Sequence, residues 1–169
     1  MKRVLLIAAL VACSAHAAAL DLTDIRVKNS EFDSSVRYAG PGARSDVKVT
    51  GSTLLVTELQ VQRNKATGAL TWTVVLGANY TAPWRFYDNA SLSGGKLISP
   101  SSVDRTVGSC SYGSCDLQES VWLRLDQDDV RKGLADGLKL RWNARSGYGS
   151  FEVELSQAYF AAMAEAARR

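Results

Sequence analysis

Cys110 and Cys115 enclose Ser111-Tyr112-Gly113-Ser114, a spacing at which a chain can reverse and bring two sulfurs within bonding range. Ser111, Gly113 and Ser114 are the small residues that such a reversal needs. The pair reads as a disulfide across a hairpin tip, worth about 2 kcal/mol for so short a ring. A redox dithiol is the rival, but catalytic dithiols favour two intervening residues rather than four.

A second group with chemical capability is Trp84-Arg85-Phe86-Tyr87, which follows Pro83 where a strand pattern stops. Aromatic side chains on a loop give rigid contact area with a polar handle, so Trp84, Arg85, Phe86 and Tyr87 are the candidate residues for binding sugar rings or a partner peptide. The bland alternative tucks them under the sheet. Acids that could work in pairs across a cleft, as in a glycosidase, are Asp88, Asp104, Asp116, Glu119, Glu152 and Glu154, and none has a sequence context that sets it apart. Asp126-Gln127-Asp128-Asp129 lacks the glycine and distal glutamate of a calcium loop, and helix capping explains it better.

Other chemistries depend on residues near the N-terminus. Lys2 and Arg3 precede an apolar run over residues 4–12 that is too short to span a bilayer, the pattern of an export signal. Ala15-His16-Ala17 fits cleavage after residue 17 and is preferred. Leu10-Val11-Ala12-Cys13 is the competing exit, in which Cys13 would be lipidated. His16 is the one histidine of the chain, so the expected domain over residues 18–169 has none, and its cysteines are the stapled pair. A Ser-His-Asp triad, a Cys-His dyad and an ordinary zinc site are thereby excluded, and no metal or cofactor is expected. Loss of Lys2 and Arg3 leaves 18 basic against 17 acidic residues, which is not the basic field of a nucleic-acid binder. No later apolar run is long enough for a transmembrane helix.

The elements that would position these groups are mostly strands. Ile25-Arg26-Val27 reads as an edge strand, and residues 29–45, with Gly40-Pro41-Gly42, as a loop. Val47 and Val49, then Leu54, Val56, Leu59 and Val61, form two β runs bent or turned at Gly51-Ser52. Leu70, Trp72 and Val74 alternate with threonines in the clearest early strand, joined to its predecessor through Asn64-Lys65-Ala66-Thr67-Gly68. A shorter strand lies around residues 96–98, and Val121, Leu123 and Leu125 face one way in the strand after the staple. Asp126 caps a short helix stopped by Gly133 or Gly137. Residues 138–142 and 151–155 make a hairpin through a turn at residues 146–149. Ser156 caps a terminal helix over 157–168, with Arg168 and Arg169 at its negative end. Trp72, Trp122 and Trp142 stand in alternating strands and read as core or half-buried scaffold, whereas Trp84 is free of sheet alternation and reads as working surface.

The fold expected is a single mainly-β domain, an antiparallel sandwich or half-open barrel with one short inserted helix and a C-terminal helix; the alternative is one curved sheet covered by that helix, an α+β fold. The function expected is that of an exported bacterial envelope protein, periplasmic or secreted, acting as a non-catalytic module that binds an envelope protein, peptide or glycan. Use of Cys13 would make it an outer-membrane lipoprotein. The alternative is a carboxylate-dependent hydrolase acting on envelope polysaccharide.

Overall fold

The computed structural model describes residues 21–22, 24–45, 53–81, 83–145 and 149–169. The leader with Cys13 and Ala15-His16-Ala17, the Val47 and Val49 positions, the Gly51-Ser52 turn and residues 146–148 of the last turn lie outside them. In chain order the elements are β1 (Arg26–Lys28), β2 (Ser35–Ala39), β3 (Ala43–Ser45), β4 (Thr53–Asn64), β5 (Leu70–Thr81), β6 (Tyr87–Leu92), β7 (Leu97–Ile98), β8 (Ser102–Ser111), β9 (Ser114–Arg124), α1 (Gln127–Asp136), β10 (Leu138–Ala144), β11 (Ser150–Leu155) and α2 (Gln157–Arg168).

The strands form two antiparallel sheets, so the domain is mainly β with two sheets rather than one curved sheet. The larger runs β1-β2-β4-β5-β9-β8, with β3 on the first part of β4; the smaller runs β11-β10-β6-β7. Two of the strands, β2 and β3, fall where residues 29–45 read as a loop. Val36 and Tyr38 are the two inward positions of β2, too few for a visible alternation. A third departure from the sequence reading, which has no strand between residues 98 and 110, is β8, a ten-residue edge strand that is exposed nearly throughout and so carries no apolar stripe.

Long β4 and β5 form the spine, and their inward residues Leu55, Leu59, Val61, Trp72, Val74 and Leu76 are buried. Their hairpin closes through local chemistry. The Asn64 side-chain oxygen accepts from the N–H groups of Ala66 and Thr67, each at 2.9 Å, and Gly68 supplies the left-handed φ of 70°. The smaller sheet covers one half of this spine, with β11 against β3 and β6 against β9. Across the two sheets the Trp142 indole N–H donates to the Thr57 hydroxyl at 3.2 Å. Helix α2 covers the other half: Phe160 stacks on Trp72 with ring centroids 5.8 Å apart. The buried Tyr159 hydroxyl accepts from the Leu59 N–H at 3.1 Å and donates to the Pro41 carbonyl at 2.6 Å. Desolvation pushes that phenol up to about 12.

Helix α1 packs on α2 at Gly133, where an added Cβ would stand 2.4 Å from the Phe160 ring. Its N-terminus is closed by reciprocal bonds: Asp126 accepts from the Asp129 N–H at 2.9 Å, and Asp129 accepts from the Asp126 N–H at 3.4 Å. Capping thus accounts for the acidic run, and the cation held there is the Lys96 ammonium, 2.6 Å from Asp126 and 2.8 Å from Asp129. Lys96 and the Asp129 N–H hold the Asp126 carboxyl at about 2, below its ordinary 3.8. A carboxyl whose pKa is depressed on folding contributes stability that is present above the unfolded pKa and lost as pH falls. Stability is therefore expected to drop between about pH 4 and pH 2, and Asp126→Asn, which keeps the cap acceptor without the charge, should flatten that part of the curve. Urea titrations across this window decide it; an unchanged slope in the variant would mean that Lys96 does not make the contact in solution.

At the far end of β8 and β9 the predicted disulfide is present. Cys110 and Cys115 are register partners with Cα atoms 4.0 Å apart. The chain reverses through Tyr112 and Gly113, with φ of 49° and 78°, the two left-handed residues of a tight hairpin turn.

Candidate functional site

Alternation along β9 buries Leu117, Glu119, Val121 and Leu123, so one carboxylate points into the core among aliphatic neighbours. Glu119 is 1% exposed. Four donors converge on it from different parts of the chain. On Oε1 these are the Tyr80 hydroxyl, from the end of β5, and the Phe86 N–H at 2.9 Å. On Oε2 they are the Tyr87 N–H at 3.2 Å and the Arg105 Nε at 2.9 Å, from the register-opposite position on β8. A buried charge persists only when its lone pairs are satisfied in this way.

The ring of contacts extends outward through arginine. Arg105 also donates to Asp88 of β6 at 2.6 Å, and Arg145, beyond β10, reaches the other Asp88 oxygen at 2.5 Å. The Tyr80 hydroxyl, while donating to Glu119, accepts from the Arg85 N–H at 2.9 Å. Burial first, and the neighbouring carboxylate second, push the Tyr80 phenol well above its ordinary value. The Arg145 N–H donates to the carbonyls of both Arg85 and Phe86 at 3.0 Å. Residues 83–86, which join β5 to β6, are thus fastened from both sheets. Fastening lets Phe86 hold a φ of 53°, a left-handed conformation that costs a non-glycine residue about 1–2 kcal/mol.

The aromatic cluster is split by this geometry. Tyr87 is 1% exposed and packs edge-on against Phe151, with centroids 5.6 Å apart. Arg85 is 3% exposed, with its guanidinium 4.4 Å from the Tyr80 ring centroid. These two of the four candidate binding residues face inward and form no part of a surface platform. The reason is a register shift between β6 and β10 at Asn143/Ala144, which turns Tyr87 to the core side three positions before Ala90. Trp84 and Phe86 remain half-buried at the surface, centroids 6.2 Å apart, and Trp84 rests on the core. The Arg105 and Arg145 guanidiniums both stand over the Phe86 ring, 5.0 and 5.4 Å from its centroid.

Of the six acids singled out, Asp88 and Glu119 are brought together, with the Arg105 guanidinium between them. Glu152 and Glu154 pair with Arg141 and Lys139 on the open face of the β10–β11 hairpin. Asp104 and Asp116 are exposed. Spacing is the signal that places Glu119 inward once β9 is known to extend back to Ser114: the odd-numbered stripe of Val121 and Leu123 then runs through it to Leu117. Nothing in the sequence marked Tyr80 and Arg105 as its partners.

A second polar surface lies on the other side of the large sheet, where Trp122 is half-buried rather than core. It lines a groove of about 350 Å³ with Arg37, Gln60, Gln62, Thr73 and Ser102. Trp72 and Trp142, by contrast, are buried scaffold as expected. Among the described residues no group of three histidine, cysteine, aspartate or glutamate side chains is placed to hold a metal, and no helix is long and apolar enough to cross a membrane. Compared with protein-family models, with curated proteins and with solved structures, this chain matches none.

Proposed function

We propose that this protein is an exported, non-catalytic binding module of the bacterial envelope, and that it engages an envelope protein, peptide or glycan through the loop of residues 83–86. One observation carries this reading. The loop is anchored from beneath by Glu119, which holds Trp84 and Phe86 at the surface beside Arg145, with Phe86 in an unfavourable backbone conformation. Fixed aromatics on a rigid scaffold bind with little ordering cost. The leader pattern of the sequence and the disulfide support a location in the periplasm or outside the cell for such a module, with a membrane surface as the alternative if Cys13 is lipidated.

The hydrolase reading has less support, because a working pair of acids needs free oxygens facing a substrate. Both Glu119 oxygens accept internal donors, and Arg105 occupies the space between Glu119 and Asp88.

The test is cross-linked capture on isolated envelope by wild type and Trp84→Ala. Since Trp84 rests on the core, its truncation is expected to cost about 1–2 kcal/mol, less than a core tryptophan but more than a free loop residue, and to abolish capture while the fold survives. Capture unchanged in Trp84→Ala would reject the loop as the binding surface. Release of soluble sugar from envelope polysaccharide by wild type, lost in Asp88→Asn, would support the hydrolase instead.

A further inference from the structure

We infer that the outward face of the large sheet carries a second binding site, a groove over Trp122 that takes a glycan chain bearing carboxylate groups. The inference is independent of the loop of residues 83–86, which lies at the junction with the smaller sheet. In the antiparallel register, Val75 of β5 stands opposite Glu58 on one side and Trp122 on the other. All three share the solvent-facing side of the sheet, yet Val75 is only 7% exposed. Its neighbours on that face shield it, and Trp122, the largest of them, is itself half-buried, so that part of its side chain stays accessible in the groove.

The surroundings of this indole are planar amides and hydroxyls. Gln60 and Gln62 of β4, Thr73 of β5 and Ser102 of β8 line the groove with it. The amide nitrogen of Gln62 donates to the Ser35 hydroxyl at 2.5 Å, and that of Gln60 donates to Glu58. These bonds orient both amides while leaving each carbonyl oxygen and one N–H for a ligand. A flat aromatic flanked by oriented amides and hydroxyls matches a sugar, whose axial C–H face is apolar and whose rim is all hydroxyl. The groove volume of about 350 Å³ falls within the range of small-ligand sites.

Charge selects among sugars. Arg37 of β2 lines the groove and has no acidic partner among the described residues. Lys28 lies opposite it on β1, and Arg124 lies opposite Thr73 on β9. Of the acids on this face, Glu58 is neutralised by Arg26 at 2.6 Å, Asp104 stands two positions beyond Ser102, and Asp116 stands six positions before Trp122 on β9, both outside the lining. An unpaired guanidinium at one end of an uncharged groove is a carboxylate site, because the fork of N–H donors pairs with both oxygens.

The experiment is calorimetric titration of the purified protein with tetragalacturonate, and with maltotetraose as the neutral chain. Tetragalacturonate is expected to bind, and maltotetraose to bind about tenfold more weakly or not at all. Arg37→Gln should bring the acidic chain down to the affinity of the neutral one. Trp122→Ala should weaken tetragalacturonate by about tenfold or more, while Trp122→Phe, which keeps an aromatic face and guards against a folding defect, should retain most of it. Trp84→Ala should leave the titration unchanged. No heat with either sugar at millimolar concentration, equal affinity for the two chains, or binding indifferent to both Trp122 variants would each overturn the assignment. So would loss of binding in Trp84→Ala.

Discussion

Replacing Glu119 with alanine is expected to lower the unfolding free energy by about 3–5 kcal/mol, the range for removing one partner of a buried charge pair. Three consequences add in that substitution. The Phe86 and Tyr87 N–H groups and the Tyr80 hydroxyl lose their acceptor in a place that water does not reach. Arg105 keeps only Asp88. Phe86 loses the contact that offsets its left-handed backbone. Glu119→Gln should fall short of full rescue, because its amide nitrogen brings two more hydrogens to a position already crowded with donors. The compensating experiment is Glu119→Leu with Arg105→Leu, which removes charge from both strands at register-opposite positions and should recover part of the loss. Urea unfolding followed by tryptophan fluorescence measures all three; a cost for Glu119→Ala below about 1 kcal/mol would show that the carboxylate is solvated and that the loop is not anchored through it.

The second large effect is expected at Trp142. Its side chain is fully buried at the junction of the two sheets, and its indole N–H is bonded to Thr57. Trp142→Ala removes a fully buried tryptophan side chain, leaves a void between sheets that cannot close on each other, and orphans the Thr57 hydroxyl. A cost of about 3–5 kcal/mol follows. At about 2–4 °C per kcal/mol for a domain of this size, the melting temperature should drop on the order of 10 °C. Trp142→Phe, which keeps most of the volume and loses the hydrogen bond, should cost roughly 1–2 kcal/mol less than the alanine variant. Equal thermal shifts for Trp142→Ala and Trp84→Ala would contradict the distinction between core and surface tryptophans.

Elements governed by neighbouring residues were legible. Ser156 and Asp126 as helix caps depend on side chains reaching N–H groups three residues away, and both are formed. The hairpin of β10 and β11 shows in its own alternation, and the disulfide follows from the short reach between Cys110 and Cys115. Strands β2 and β8 were not legible. One has two inward residues, and the other lies at an edge where neither face needs an apolar stripe, so pairing with β4 and β9 defines them more than composition does.

For the candidate site the division is sharper. That residues 83–86 form a connection bearing aromatics was readable from Pro83 and the end of the strand pattern. Which of those aromatics face out was decided by the register shift between β6 and β10, a property of the pairing. The alternation of β9 contains the inward position of Glu119, but a carboxylate can occupy such a position only when enough donors meet there. Tyr80, Phe86, Tyr87 and Arg105 are 14 to 39 positions away along the chain. Sequence-local physics sets the strand and the face; a buried charge is satisfied only by groups that folding of the two sheets brings to one point.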